Sequence, residues 1–123
     1  MLDPLQQFRL DGKVALVTGA SSGLGARFAR VLHAVGATVV VTARRAERLD
    51  ELVAELPGAI AVAADVGFSG DRERLVAEAL ERAGRIDVLV NNAGVALDGF
   101  DAEVVRKTLE VHIHGAMTVT EEV

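Results

Sequence analysis

The fold is decided by one stretch of the chain, Thr18-Gly19-Ala20-Ser21-Ser22-Gly23-Leu24-Gly25. An apolar run comes immediately before it, Val14-Ala15-Leu16-Val17, and an amphipathic pattern follows it. The sequence therefore predicts a strand, a glycine-rich turn and a helix. Such a turn directs backbone N–H groups at an anion, and the helix N-terminus adds partial positive charge. The glycines are spaced G-x-x-x-G-x-G, which differs from the commoner G-x-G-x-x-G dinucleotide pattern.

The composition is that of one globular domain. The chain has 123 residues, of which 50% are hydrophobic and 25% are charged, so it is long and apolar enough to bury a core. Its formal net charge of −5 argues against general nucleic-acid binding, and the absence of cysteine excludes disulfides and thiolate metal sites. The sequence lacks the pattern of a signal peptide and a run long enough to span a membrane. We expect a cytoplasmic protein that binds no metal, nucleic acid or membrane.

Strand and helix patterns alternate along the chain. Near-continuous apolar runs are typical of strands in a parallel sheet that is covered on both faces. Four such runs are present, at Lys13–Thr18, Thr38–Thr42, Ala59–Ala63 and Ile86–Asn91. The short connections imply right-handed crossovers and a Rossmann-like, doubly wound α/β sheet with strand order 3-2-1-4. One domain over residues 1–123 is expected, ending after the fourth strand and the helix that follows it.

Three amphipathic helices are predicted between these strands. Each is expected to end just before a glycine that can take the left-handed, helix-ending conformation, namely Gly36, Gly58 or Gly84. Ser69 or Asp71 is expected to cap the third helix. Apolar residues in the first helix recur at a spacing that makes one apolar face, which comprises Leu24, Phe28, Val31, Leu32 and Val35.

Three motifs in this order resemble one enzyme family. Thr18–Gly25, Asp65-Val66 and Asn91-Asn92-Ala93-Gly94 look like the cofactor-binding half of the short-chain dehydrogenase/reductase family, and the resemblance runs from about Leu10 to the end. It implies a nicotinamide dinucleotide cofactor and a small carbonyl or alcohol substrate. The cofactor-binding residues that we expect are Gly19, Ser21, Ser22, Gly23, Leu24, Gly25, Arg44, Arg45, Asp65, Val66, Asn91, Ala93 and Gly94.

The residues of the turn have separate expected roles. Gly19 permits the tight turn, Gly23 lets the pyrophosphate approach the backbone, and Gly25 lets the helix pack closely. Ser21 and Ser22 offer hydroxyl groups to phosphate or ribose, and they also suit the cap of the helix.

The later motifs take their expected roles from the family resemblance. It implies that the Asp65 side chain binds the adenine amino group and that the backbone of Val66 contributes to the cofactor site. Asn91 would pass beside the adenosine ribose together with Ala93-Gly94. For Asn92 we favour a structural role, in which its side chain ties neighbouring strands together.

The end of the second strand indicates which dinucleotide is preferred. NAD-binding members carry an acidic residue there, about 20 residues beyond the glycine turn, which hydrogen-bonds the ribose hydroxyls. Here that position is Ala43, and Arg44 and Arg45 follow it. A guanidinium can pair with a 2′-phosphate through two N–H groups, whereas an acid would repel it. The sequence therefore favours NADP(H) over NAD(H), with Arg44 as the stronger candidate, although two solvated arginines are the alternative.

The catalytic residues that the resemblance implies, a Ser, a Tyr and a Lys in Tyr-x-x-x-Lys spacing, are missing. The chain contains no tyrosine, and its lysines are Lys13 and Lys107. The family's further catalytic Asn aligns with His112, which is either a catalytic replacement or a structural histidine. We expect a cofactor-binding portion that lacks the catalytic half and is inactive alone.

Two alternatives remain open at this point. Residues 19–23 also match G-x-S-x-G, the nucleophile elbow of serine hydrolases, with Ser21 as nucleophile and His112 or His114 as base. The second alternative is a non-catalytic module that binds a nucleotide or another protein chain. Because the strand at Ile86–Asn91 would lie at a sheet edge and the last helix would expose an apolar face, we also expect self-association.

Overall fold

The computed structural model describes residues 3–21, 23–94 and 102–111. Its strands are β1 (Val14–Thr18), β2 (Thr38–Ala43), β3 (Ile60–Ala63) and β4 (Val88–Val90). They form one sheet in the order β3-β2-β1-β4, and every pair of neighbours is parallel. The predicted Rossmann-like α/β sheet and its strand order are confirmed. The fourth strand is shorter than the predicted Ile86–Asn91, because only its central residues pair with β1.

Helices follow the strands in alternation. They are α1 (Gly23–Ala34), α2 (Ala46–Glu55), α3 (Ser69–Ala83) and α4 (Ala102–Leu109), and a short 3₁₀ helix at Pro4–Phe8 precedes β1. The longest of these, α3, has 15 residues. None of the helices in the described ranges combines the length and the apolarity that crossing a bilayer requires.

The sheet register brings the carboxyl ends of the strands to one edge. Thr18 at the end of β1 pairs with Thr42 of β2, Val17 pairs with Val90 at the end of β4, and Ala43 pairs with Ala63. The loops that follow the four strands therefore meet along this edge. In open α/β sheets the crevice outside these strand ends is where ligands bind.

Both faces of the sheet are covered, as the unbroken apolar strands predict. Alternate residues of β1 point to opposite faces, so Val17 belongs to the core on one side and Leu16 to the core on the other. The first core includes Leu49 and Leu52 of α2, and the second includes Leu75 of α3. The result is a rigid layer that fixes the ends of the strands.

The face of α1 that packs on the sheet differs from the predicted apolar face. Its buried residues are Gly25, Ala26 and Ala29, and Leu32 packs partly against the core. Leu24, Phe28 and Val31 are exposed. Small residues occupy the buried face because the first turn of the helix lies directly against the backbone of the glycine-rich turn.

The C-terminal ends of α1, α2 and α3 agree with the glycine signals. Gly84 caps α3 in the left-handed conformation with φ 83°, and Gly36 and Gly58, shortly after the ends of α1 and α2, also have positive φ, 106° and 86°. The predicted N-terminal cap of α3 is wrong. Phe68 precedes the helix without a side-chain cap bond, Ser69 is its first residue, and the Asp71 carboxylate instead accepts the Asp65 N–H at 2.8 Å.

Candidate functional site

The hydroxyl group of Thr18 joins the ends of β1 and β4. It is buried, accepts the backbone N–H groups of Asn92 and Ala93 at 3.0 Å each, and donates to the Val90 carbonyl oxygen at 3.3 Å. The Thr18 hydroxyl group thereby uses its one donor position and both of its acceptor positions. Thr18 opens the glycine-rich motif, but the sequence did not mark it as a site residue, because a threonine at a strand end is common.

The glycine-rich turn is packed against the loop after β4. Gly19 has a φ of +63°, and a Cβ atom there would lie 2.8 Å from the Ala93 Cα atom. A Cβ atom on Gly25 would lie 2.1 Å from the Gly19 carbonyl oxygen. The Asn92 side-chain amide donates to that same oxygen at 3.1 Å. The geometry agrees with the close helix packing expected for Gly25 and with the structural role favoured for Asn92.

Among the described residues, the space at the start of α1 is open. Gly23 has a φ of +59°, and none of their atoms would lie within 4 Å of a Cβ atom built on it. The backbone at the helix N-terminus is therefore accessible to an anion. The Leu24 side chain is exposed, and Ser22 lies outside the described residues.

An open pocket of about 250 Å³ lies at the carboxyl ends of the strands. The predicted cofactor-binding residues that line it come from the loops after all four strands, and they are Gly19, Ser21, Arg44, Arg45, Asp65, Val66, Ala93 and Gly94. Asn91 and the residues Gly23, Leu24 and Gly25 do not line it. Thr42, Ala64 and Val111 also line the pocket, and no motif in the sequence had pointed to them.

The loop after β3 forms one wall with two unused hydrogen-bonding groups. Asp65 Oδ1 accepts the Gly67 N–H at 2.9 Å, and the Val66 carbonyl oxygen accepts from Arg72 Nη1 at 2.8 Å. Within the described part of the chain, Asp65 Oδ2 and the Val66 N–H make no hydrogen bond. The wall therefore presents an acceptor and a donor side by side to the pocket.

Two arginine side chains place positive charge at the end of β2. Arg44 and Arg45 are exposed beside the pocket, and neither forms an ion pair or a side-chain hydrogen bond with any described residue. Arg45 precedes α2 and makes no side-chain cap bond. Ala43 is nearly buried and carries no charge. Two exposed guanidinium groups therefore give this corner of the pocket a positive charge.

The residues proposed for catalysis are not brought together in the described ranges. His112 and His114 lie outside them, so neither the catalytic role of His112 nor the serine-hydrolase arrangement is tested. His33 is described, and its Nε2 atom lies 3.0 Å from the Pro57 carbonyl oxygen rather than at Ser21. Across the described residues, no group of three or more His, Asp or Glu side chains is arranged to hold a metal ion.

Comparison with known proteins identifies the family. The model of the short chain dehydrogenase family matches residues 13–123. An uncharacterised oxidoreductase of Methylorubrum extorquens is 40% identical over 122 residues, which are 92% of this chain and 49% of the relative. The dehydrogenase/reductase SDR family member 4 of Pongo abelii is 40% identical over 123 residues, which are 93% of this chain and 44% of the relative.

Solved structures agree with the fold and the family. A metagenomic short-chain oxidoreductase in complex with NADP superposes with a TM-score of 0.84 and is 37% identical, over 92% of this chain and 55% of that protein. The chain thus spans about half the length of the relatives that it matches. With a matching family model, a parallel sheet in the order β3-β2-β1-β4 and the three motifs at the strand ends, the chain belongs to the short-chain dehydrogenase/reductase family.

Proposed function

We propose that the chain binds NADP(H) at the strand-end pocket, in preference to NAD(H), and serves hydride transfer between this cofactor and a carbonyl or alcohol substrate. The observation that carries the preference is the pair of arginines after the uncharged Ala43, which have no ion-pair partner among the described residues. A phosphate dianion gains charge-assisted, bidentate hydrogen bonds from a guanidinium group. NAD(H) has no phosphate at the ribose 2′ position, so it would leave both Arg44 and Arg45 without a partner.

The other parts of the dinucleotide match the remaining surfaces of the pocket. The open backbone at Gly23 and the positive end of α1 suit the pyrophosphate. Adenine presents an amino donor beside a ring acceptor, and these complement the free Asp65 Oδ2 and Val66 N–H. Ala93 and Gly94 line the side of the pocket proposed for the adenosine ribose. Complexes with NADP are known for relatives, including the metagenomic oxidoreductase described above.

The reaction itself is assigned through the family. When bound, a reduced nicotinamide supplies a hydride to the substrate carbonyl, and a neighbouring acid must supply the proton. The residues of this chain bind and orient the adenosine and pyrophosphate parts. Because the sequence contains no tyrosine, we propose that the chain alone binds the cofactor without turning it over. A non-catalytic nucleotide-binding module is the second candidate, and the same absence of tyrosine favours it.

Calorimetric titration of the 123-residue chain with NADPH and NADH tests the cofactor preference. NADPH should bind about tenfold more tightly or better, since hydrogen bonds between charged groups contribute roughly 1.5–3 kcal/mol. Arg44→Ala should remove most of this difference while leaving the affinity for NADH unchanged.

Arg48→Ala is the matched control, because it removes the same charge from the exposed start of α2 outside the pocket. Equal affinities of the unaltered chain for NADPH and NADH would refute the preference. So would an Arg44→Ala variant that retains full affinity for NADPH.

A further inference from the structure

Arg72 is a buried arginine that the proposed function does not use. It lies in the first turn of α3 and is only 5% exposed. Arginine is almost never fully buried unless it is paired. The apolar periodicity of α3 did not indicate that Arg72 is buried, because a charged side chain in this position is normally solvated.

The guanidinium group of Arg72 bridges two parts of the chain. Its Nη1 atom donates to the Val66 carbonyl oxygen at 2.8 Å and to Glu110 Oε1 at 3.2 Å. Its Nε atom is buried and has no hydrogen-bond partner among the described residues. Burying such a donor without a partner is unfavourable. Arg72 therefore carries an energetic cost at this position that an apolar residue would avoid.

Both ends of this bridge lead to the pocket. Val66 and Val111, which follows Glu110, line the pocket and are buried. A Cβ atom built on Gly67 would lie 3.3 Å from Val111 Cγ2 and 3.0 Å from Asp65 Oδ1. Glu110 and Val111, directly after α4, therefore lie against the loop after β3, and Arg72 joins this loop to Glu110.

The bridge also fixes the peptide group between Val66 and Gly67. Arg72 holds its carbonyl oxygen, and Asp65 Oδ1 accepts its N–H at 2.9 Å. The Asp65 carboxylate is thereby turned so that Oδ1 is occupied and Oδ2 is left for a ligand. Without the guanidinium group this peptide could rotate, and the carboxylate would lose its fixed direction.

We propose that Arg72 is a positioning residue for adenine recognition, which acts through the Val66–Gly67 peptide on the Asp65 carboxylate and couples this loop to Glu110. This inference rests on the proposed function, since it takes the pocket to hold the adenosine part of NADP(H). It predicts that losing Arg72 weakens the discrimination between adenine and a base without the amino group.

The test compares NADP with its hypoxanthine analogue, nicotinamide hypoxanthine dinucleotide phosphate, by calorimetric titration of the 123-residue chain. The unaltered chain should prefer the adenine form about tenfold or more, as expected for a hydrogen bond to a charged group. Arg72→Met should reduce this preference about tenfold, and Arg72→Lys should restore part of it. Stabilisation of the fold alone would leave the ratio of the two affinities unchanged wherever the protein is folded.

Arg82→Met is the matched control. Arg82 lies on the same helix and donates to the Ala61 carbonyl oxygen at 3.1 Å, outside the pocket, so its loss should leave the adenine preference intact. If Arg72→Met does not fold, Glu110→Ala is measured instead, and it should lower the preference about threefold.

The outcomes separate the two proposals. An unaltered chain that binds neither dinucleotide overturns the proposed function and this inference with it. An unaltered chain that prefers adenine, with an equal preference in Arg72→Met or in its Glu110→Ala substitute, overturns the inference alone.

Discussion

Two threonines at the same level of neighbouring strands differ in what their hydroxyl groups bind. Thr18 and Thr42 are paired in the sheet register, and both are buried. The Thr18 hydroxyl satisfies the N–H groups of Asn92 and Ala93, whereas the Thr42 hydroxyl is buried without a partner among the described residues. The same side chain is therefore stabilising on one strand and unfavourable on the next.

Replacing each threonine by valine should separate these effects. Thr18→Val leaves two backbone donors unsatisfied, so we expect the free energy of unfolding to fall by about 2 kcal/mol or more. Thr42→Val removes a buried, unbonded hydroxyl and should leave stability unchanged or higher. Urea denaturation at constant m value measures both. Equal losses in the two variants would show that the hydrogen bonds of Thr18 contribute nothing specific.

At this scale the sequence predicted residue types better than their contacts. It indicated the close packing of the helix at Gly25 through the glycine spacing, and the family resemblance gave the context in which a structural role was favoured for Asn92. It did not indicate Arg72, since nothing local distinguishes a buried arginine from a solvated one. The partners of Arg72 are Val66 and Glu110, and Glu110 is distant in the chain.

Among the elements, β-strands were easier to predict than the faces and caps of helices. The central strands β1 and β2 are buried along almost their whole length, so their largely apolar pattern does not depend on which helix covers them. The buried face of α1 was not predictable from apolar spacing, because the small residues Ala26 and Ala29 are buried whereas the larger Phe28 is exposed. The predicted N-terminal cap of α3 was wrong for a related reason, since the Asp71 carboxylate accepts the N–H of Asp65 in the loop after β3.

The start of β4 is held to β1 by Asp87, which makes its pairing sensitive to pH. Asp87 exchanges two hydrogen bonds with Val14, through its own N–H and through Oδ2, each at 2.8 Å. Its Oδ1 atom accepts from Arg85 Nη2 at 2.6 Å. The hydrogen bond from Arg85, and then that from the Val14 N–H, lower the pKa of Asp87 below its usual value.

This shift predicts a loss of stability in acid. Because the folded pKa lies below that of an unfolded aspartate, about 3.9, the stabilisation is fully present above that value and disappears as the pH falls through the folded pKa. Asp87→Asn should lower the free energy of unfolding at neutral pH and flatten its decline below about pH 4. Asp50→Asn, on the exposed side of α2, is the control. Parallel pH profiles for Asp87→Asn and the unaltered chain would contradict the expectation.

On the scale of the whole molecule, most of the residues that the sequence marked for cofactor binding meet at one pocket, and their role in binding stays a proposal. The pocket draws on the loops after all four strands, and each loop follows a strand that the sequence located. The edge position of β4 within the described sheet agrees with the geometry expected for self-association, which stays a prediction. The chain spans about half the length of its relatives, so activity, substrate and location are proposals.

The last prediction concerns turnover. We expect the 123-residue chain to bind NADPH but not to oxidise it with ketones, diketones or 3-ketoacyl thioesters. Hydride transfer to a carbonyl needs a proton donor within hydrogen-bond reach of its oxygen, and the sequence contains no tyrosine to provide one.

Following the absorbance of the reduced nicotinamide measures turnover, and calorimetry on the same preparation establishes that the cofactor is bound. A chain that binds NADPH and leaves it unoxidised across the panel agrees with the expectation. Oxidation that survives purification would contradict it, and the His112→Ala variant then identifies the source. If that substitution abolishes the activity, His112 supplies the proton in place of the missing tyrosine; if the activity persists, the donor is another group of the chain.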